Sequence, residues 1–262
     1  MEYKNIQCTT LLNKITKKDK LFKGKYTLDP YQNCEFGCNY CDSSYDKTIY
    51  VKANAVKQLE KEIKTIRKGT IIIGSVSDAY QKAEEKHKIT RELLETIKQN
   101  NYPCHIITKS NLILRDIDLL TKTDSTVTIT IITLDKKTSR IFEKKVPSPD
   151  ERLKTVKQLS EKGIKTGIAI IPIIPYINEN EIEEIIKTAK KHDAKYVLHK
   201  HLELKGDQKN IFIEIIKKFY PSLFTKYIDI YIDNYAPNQI YINRIAKSVN
   251  LYCKKYEIPT KI

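Results

Sequence analysis

YTLDPYQNCEFGCNYC (26–41) joins a short β-rich run to three cysteines, Cys34, Cys38 and Cys41, in the spacing Cys-x3-Cys-x2-Cys. The carboxyl end of a strand is where β/α folds assemble their sites, so the position of these cysteines matters as much as their spacing. Three thiolates can hold three irons of a 4Fe-4S cubane and leave the fourth iron open to a ligand; a structural cluster normally takes four cysteines. A zinc knuckle is the other chemistry open to this stretch, and it needs four Cys or His ligands. With no second CxxC pair in the chain, the zinc site would be completed from afar, by His87, His105, His192, His199, His201 or Cys104.

Outward from 26–41, short apolar runs alternate with amphipathic stretches. YTLDPY (26–31), TIIIGS (70–75), CHIIT (104–108), TVTITIIT (126–133), KTGIAIIP (165–172) and KYVLHKHL (195–202) read as six strands. Between them Leu59, Ile63 and Ile66 space as one helix face, as do Ile89, Leu93 and Ile97, then Leu153, Val156 and Leu159, then Ile182, Ile185 and Ala189. LILRDIDLLTK (112–122) adds a shorter helix, and Ser148-Pro149-Asp150-Glu151 is a capping box with Pro at the first helical position. Near-continuous apolar strands separated by helices predict a parallel sheet covered on its outer face, and six such units predict an open, partial (β/α)6 TIM-like barrel. The expectation is one domain over 1–262, its core spanning about 26–204 and a helical, Tyr-rich extension about 205–262. Helical stretches around 209–218 and 238–256 flank PSLF and YIDIYIDNYAP in that extension. Its tyrosines either pack or relay a radical, packing being the ordinary role.

The 47 Lys and Arg against 32 Asp and Glu give a formal charge of +15, which favours nucleic acid or an acidic protein as partner. Scattered lysines, as in KQLEKEIKTIRK, account for the charge equally well as a solvated surface, since Lys, Ile, Asn and Tyr, all with A/U-rich codons, are abundant together. No stretch has the length of a membrane span, and MEYKNIQC has no signal-peptide character. A soluble, cytoplasmic protein with no membrane role follows as the expectation, and its six cysteines should be reduced rather than paired as disulfides.

YTLDPYQNCEFGCNYC, IIIGSVSDAYQKAE, HIITKSNLILRDIDLL, TVTITIITLD and RIFEKKVPSPDERLKTVKQLSEKGIKTGIAIIPIIPYIN follow one another as the blocks of a known family do. The chain resembles the spore photoproduct lyase-related radical S-adenosylmethionine (radical SAM) proteins over about residues 26–180, a span set by those blocks. The resemblance implies a partial barrel, a 4Fe-4S cluster on Cys34, Cys38 and Cys41, and SAM on the open iron. It also implies an enzyme: an external donor of flavodoxin or ferredoxin type reduces the cluster, SAM is cleaved, and a 5′-deoxyadenosyl radical takes hydrogen from a substrate. That substrate is a nucleic acid, a protein or a metabolite. The reading from a different class is a nucleic-acid-binding protein with a structural metal.

By block, the resemblance places the backbone of Tyr40 against the adenine and Ser75, Ser77 and Asp78 beside the methionyl amino group. It sets Lys109 on the carboxylate, Thr128 or Thr130 at the ribose, and Ile170, Ile171 and Pro172 as the adenine wall. Asp78 as a turn cap, Lys109 as a surface lysine and the threonines as plain β-formers are the structural alternatives. Glu143 matches a family-typical acidic position with no assigned role. One departure bears on substrate. Where the true lyases carry a hydrogen-donating cysteine before a Ser-Asp pair, this chain reads Gly74-Ser75-Val76-Ser77-Asp78. A serine O–H bond is too strong to replace that thiol, which argues against authentic spore photoproduct repair. Cys104 is the remaining candidate thiol, with a buried apolar role as its alternative.

Overall fold

Pro30 decides how the chain leaves its first barrel strand. A computed structural model describes residues 1–44 and 47–262. The strands in chain order are Glu2–Ile6 (β1), Leu12–Lys14 (β2), Tyr26–Leu28 (β3), Tyr31–Gln32 (β4), Thr48–Lys52 (β5), Ile71–Ile73 (β6), Cys104–Thr108 (β7), Ser125–Thr130 (β8), Lys165–Ile173 (β9) and Val197–His201 (β10). The run expected as one strand over 26–31 is therefore two. β3 stays in the barrel, while β4 pairs with β5 in a separate sheet ordered β1-β5-β4. Proline has no N–H to continue a ladder, so the break falls at Asp29-Pro30.

The main sheet runs β10-β9-β8-β7-β6-β3-β2. β3 and β6 to β10 pair in parallel, and β2 closes the edge antiparallel to β3. This is the partial (β/α)6 barrel that the alternation of apolar runs predicts. The helices are Ala55–Glu62 (α1), Ala83–His87 (α2), Ile89–Gln99 (α3), Ile117–Leu120 (α4), Lys136–Phe142 (α5), Pro149–Glu161 (α6), Ile182–Lys191 (α7), Asp207–Phe219 (α8), Phe224–Tyr231 (α9) and Gln239–Lys255 (α10). Alternate strand residues split between two environments. Ile129 of β8 and Ile168, Ile170 and Ile173 of β9 join Leu93, Ile97, Val156 and Ile185 of the helices in the main core, while Thr130, Ala169 and Ile171 border a cavity on the other face.

The capping box forms as read: Ser148 Oγ accepts from Glu151 N at 3.3 Å, and Ser148 N donates to Glu151 Oε2 at 2.7 Å. The helix expected over 112–122 is instead mostly a 3-10 turn, Asn111–Asp116, followed by the single turn of α4. Ile113 and Asp116 are both buried, and their three-residue spacing suits the tighter helix, in which i and i+3 eclipse. In the extension, α8 and α10 match the expected stretches, and part of the Tyr-rich segment becomes α9. Tyr227 and Tyr231 stack one turn apart with ring centres 5.8 Å from each other, and their hydroxyls donate to Pro175 O at 2.5 Å and Leu202 O at 3.2 Å. These two tyrosines pack the extension onto the loops after β9 and β10. Among the described residues, no helix is long and apolar enough to cross a membrane.

Candidate functional site

The cysteines lie on the loop after β4, and that loop is held from two sides. On one side the link between α5 and α6 pairs with it as a short backbone ladder. Cys38 bridges Glu143 antiparallel, Asn39 N donates to Phe142 O at 2.8 Å, and Lys145 N donates to Phe36 O at 3.0 Å. On the other side, Glu35 N donates to Gln81 Oε1 at 3.0 Å, Gln81 Nε2 donates to Asn33 O at 3.0 Å, and Glu35 Oε1 accepts from Ala83 N at 2.7 Å. Every one of these bonds has a protein partner, so the loop is shaped by the chain itself. Burial pushes the Cys34 thiol up to about 12, with the carboxylate of Asp78 adding to it. Burial raises the Cys38 thiol as well.

Cys34, Cys38 and Cys41 border one cavity of about 400 Å³. Tyr40, Ser75, Ser77, Asp78, Lys109, Thr130 and Ile171 border it too, as does Pro172. Gly74 makes the turn out of β6 possible: its φ is +84°, and a Cβ there would stand 2.4 Å from Ile107 O. The segment that follows is fastened to Asp29, which accepts from Ser75 Oγ, Val76 N and Ser77 N. Ser77 Oγ donates to Tyr31 O at 2.7 Å.

Asp78 is buried and largely occupied: it accepts from Tyr80 N and Thr108 Oγ1 through one oxygen and from Lys109 N through the other. It thus caps the turn and aims Lys109 as well as facing the cavity. Lys109 behaves differently. Burial works against its charge, but the Cys38 sulfur and the carboxylates of Glu143 and Asp78 outweigh that and hold its pKa above the usual lysine value. The ammonium lies 5.9 Å from the ring centre of Tyr40. Among the described residues it has no hydrogen bond or ion pair.

Thr128 is the expected site residue that does not reach this cavity. It sits one pleat deeper than Thr130, where its hydroxyl meets His105 Nε2 at 2.7 Å and Tyr196 OH at 2.8 Å. Tyr196 in turn donates to Val127 O at 2.8 Å, and His105 Nδ1 lies 3.3 Å from Phe22 O. Gly167 gives this layer its room, since a Cβ there would fall 2.4 Å from the Tyr196 ring. Burial lowers the His105 pKa to about 4, so the imidazole is neutral. Ile170 likewise faces the main core and not the cavity, and Cys104 is packed in that core as a buried apolar residue. Among the described residues, no three His, Cys, Asp or Glu side chains gather as the ligands of a single metal ion. The donor set suits a larger group: three thiols spread around one cavity wall, with a lysine ammonium available to balance anionic charge.

The family model of the radical SAM superfamily matches residues 28–189. The chain belongs to the radical SAM superfamily. An uncharacterized protein of Methanocaldococcus jannaschii is 32% identical over 248 residues, covering 87% of this chain and 92% of its own. An uncharacterized protein of Mycobacterium tuberculosis is 22% identical over 250 residues, covering 87% of this chain and 73% of its own. Among solved structures, a spore photoproduct lyase variant with bound AdoMet and dinucleoside spore photoproduct aligns at a TM-score of 0.74 with 14% identity, covering 98% of this chain and 79% of that one. Streptococcus suis SuiB bound to S-adenosylmethionine aligns at 0.59 with 14% identity, over 88% of this chain and 48% of that one. These structural likenesses describe the fold.

Within this radical SAM fold, Glu143 gains a place. Tyr40 donates its hydroxyl to Glu143 Oε1, and Arg152 Nη2 donates to Glu143 Oε2 at 2.7 Å. Arg152 is wholly buried and also donates to Thr130 O at 2.7 Å. Tyr40 of the cysteine loop, the helix α6 and the end of β8 are thereby locked together. Arg152 and Asp29 escape a sequence reading. Arg152 looks like one more basic position on an amphipathic helix, and Asp29 like a residue of the first strand; only the Asp-Pro break at 29–30 marks the latter.

Proposed function

We propose that this chain holds a 4Fe-4S cluster on Cys34, Cys38 and Cys41 and binds S-adenosylmethionine in the adjoining cavity, as a radical enzyme. A cluster bound there supplies one electron to the sulfonium of S-adenosylmethionine, giving methionine and a 5′-deoxyadenosyl radical that abstracts hydrogen from a substrate. The observation that carries the reading is Lys109: a charged ammonium in the cavity of the three thiols, without a hydrogen bond or ion pair among the described residues and so placed to receive a carboxylate. Asp78 fixes the backbone of Lys109. The Glu143–Arg152 pair and Tyr40 fix the loop between Cys38 and Cys41. Thr130 is within reach of ribose hydroxyls, and Ile171 and Pro172 offer an apolar wall that keeps water from the adenine side.

The substrate meets a polar rim. Lys200, His201, Glu203 and Gln208, after the start of β10, border the same cavity with Asp42 and Ser44. Burial lowers the His201 pKa, so this imidazole is a neutral hydrogen-bonding group at pH 7. Nucleic acid is one candidate, on the charge of +15 and the lyase-like fold; a protein side chain or a metabolite fits the rim as well. Authentic spore photoproduct repair does not fit. Ser75 donates its hydroxyl to Asp29, and the three cluster cysteines are the only thiols among the described cavity-lining residues.

The test is anaerobic reconstitution with iron and sulfide, followed by dithionite and S-adenosylmethionine. The expected product is 5′-deoxyadenosine. A protein with a verified 4Fe-4S spectrum that yields none above background overturns the reading.

A further inference from the structure

The cluster loop has a second face. Phe36, between Cys34 and Cys38, borders the cavity on one side and on the other lines a depression of about 550 Å³ with Lys82, Glu85, Arg140, Lys145 and Val146. Among the described residues, Phe36 is the one side chain that borders both. Phe36 and Val146 pack with Cys34 and Cys38 in one small apolar cluster. Phe36 thus stands between the cavity of the thiols and this outer depression.

The charges around this depression are unevenly committed. Arg140 is tied down, its Nη1 donating to Lys144 O at 3.1 Å and Val146 O at 3.0 Å. Glu151 is occupied by Ser148 in the capping box, and Glu85 is the one exposed carboxylate of the depression without a side-chain hydrogen bond or ion pair among the described residues. Lys82, Lys144 and Lys145 are exposed and, among the described residues, make no ion pair or side-chain hydrogen bond. Two exposed ammonium groups, Lys82 and Lys145, therefore line the depression beside Phe36, and Lys144 lies next to the loop at Gly37. Charge of this kind steers an oppositely charged protein and sets its orientation.

We infer that this face docks an acidic one-electron carrier protein, whose carboxylates meet Lys82, Lys144 and Lys145 and whose redox centre is brought against Phe36. The inference rests on the radical reading above. In each encounter the reduced carrier loses one electron and the cluster gains one, with no atom transferred. The cavity side is unsuited to this task, because a protein seated on the rim of Asp42, Lys200 and Glu203 would cover the opening through which substrate enters. The Phe36 side leaves that opening free. An apolar aromatic partition also keeps water out of the path.

The experiment uses the reconstituted protein, with reduced flavodoxin as the probe, and compares the unaltered chain with the double variant Lys82→Glu/Lys145→Glu and the conservative Lys82→Arg/Lys145→Arg. Zero-length carbodiimide cross-linking followed by mass spectrometry should join flavodoxin carboxylates to Lys82, Lys144 or Lys145. Charge reversal should weaken flavodoxin binding by tenfold or more and lower flavodoxin-driven 5′-deoxyadenosine formation in proportion. The arginine variant should keep both, and dithionite-driven formation should be the same in all three proteins. Cross-links confined to other lysines, or an unchanged Kd on charge reversal, would overturn the docking face. So would equal losses with flavodoxin and dithionite, because the substitutions would then act on the cluster itself. Absence of product from the unaltered protein with dithionite counts against the radical reading, while the cross-link map and the Kd still decide the docking face.

Discussion

Two polar layers lie one above the other inside the barrel, and they are finished differently. In the lower, His105, Thr128 and Tyr196 lie within hydrogen-bond distance of one another and of the carbonyls of Phe22 and Val127, so each polar group has a protein neighbour. In the upper, Lys109 is held charged beside Cys38, Glu143 and Asp78 and left without a hydrogen bond or ion pair among the described residues. Lys109 is half-buried and borders the open cavity, so its charge is left available to an anionic ligand. The lower layer is complete and serves structure. The upper one is half of an interaction.

Four measurements test that contrast, from the largest expected effect to the smallest. Replacing Cys38 by Ser removes a thiol from the upper layer and should abolish stable cluster uptake, read as iron content and visible absorbance after anaerobic reconstitution. Cys104→Ser, in the main core, should leave the iron content intact. If both variants load iron equally, the contrast between site and core cysteines fails.

Lys109→Met should weaken S-adenosylmethionine binding by about tenfold to a hundredfold, the range of one charge-assisted hydrogen bond. Because the ammonium makes no hydrogen bond or ion pair among the described residues, and loses only its longer-range attraction to the Tyr40 ring and the nearby carboxylates, the melting temperature of the cluster-free protein should fall little. Calorimetric titration of the loaded protein and a thermal melt of the cluster-free one check the two halves. An unchanged affinity with a lowered melting temperature would make Lys109 a structural residue.

His105 gives the lower layer a pH signature. Its folded pKa is about 4 against an ordinary 6.5, so between those values the unfolded chain binds a proton that the folded chain refuses. Stability contributed by the neutral imidazole is full above pH 6.5 and lost as the pH falls toward 4, by at most about 3 kcal/mol. Urea unfolding at pH 7 and pH 4.5 should show this loss, and His105→Gln should flatten it. An equally steep profile in the variant would place the acid sensitivity elsewhere.

Thr128→Val should cost about 1–2 kcal/mol, the penalty for leaving His105 Nε2 without a partner. It should not change S-adenosylmethionine affinity. A fall in affinity without a fall in stability would restore Thr128 to the ligand and break the division between the layers.

What could be read from the sequence follows the range of the interactions. The six barrel strands and the three cysteines are local signals: apolar runs of strand length, and a spacing within eight residues. Lys109 stood out through the resemblance of its block, since a lysine ending a strand is by itself an ordinary surface residue. Thr128 and Thr130 could not be separated by spacing, since both lie on the inner face of β8 and only depth distinguishes them. The second sheet was hidden because β1 is an exposed, polar run whose pairing with β5 spans more than forty residues of chain. β5 itself was the better clue, for its buried positions alternate as a half-covered strand should. Glu143 was noticed without a role. Its role required knowing that Arg152, one helix later, turns inward and that Tyr40 lies within reach of both.

The ladder between residues 36–39 and 142–145 has a consequence for damage and repair. Its bonds run from backbone to backbone and need no metal, unlike a zinc finger, whose fold disappears with its ion. On the proposed reading, a chain that loses its cluster to oxygen should therefore keep its far-ultraviolet circular dichroism and retain the mould for a replacement. Under that reading, regaining the visible absorbance of a cluster without a refolding step is the expected outcome.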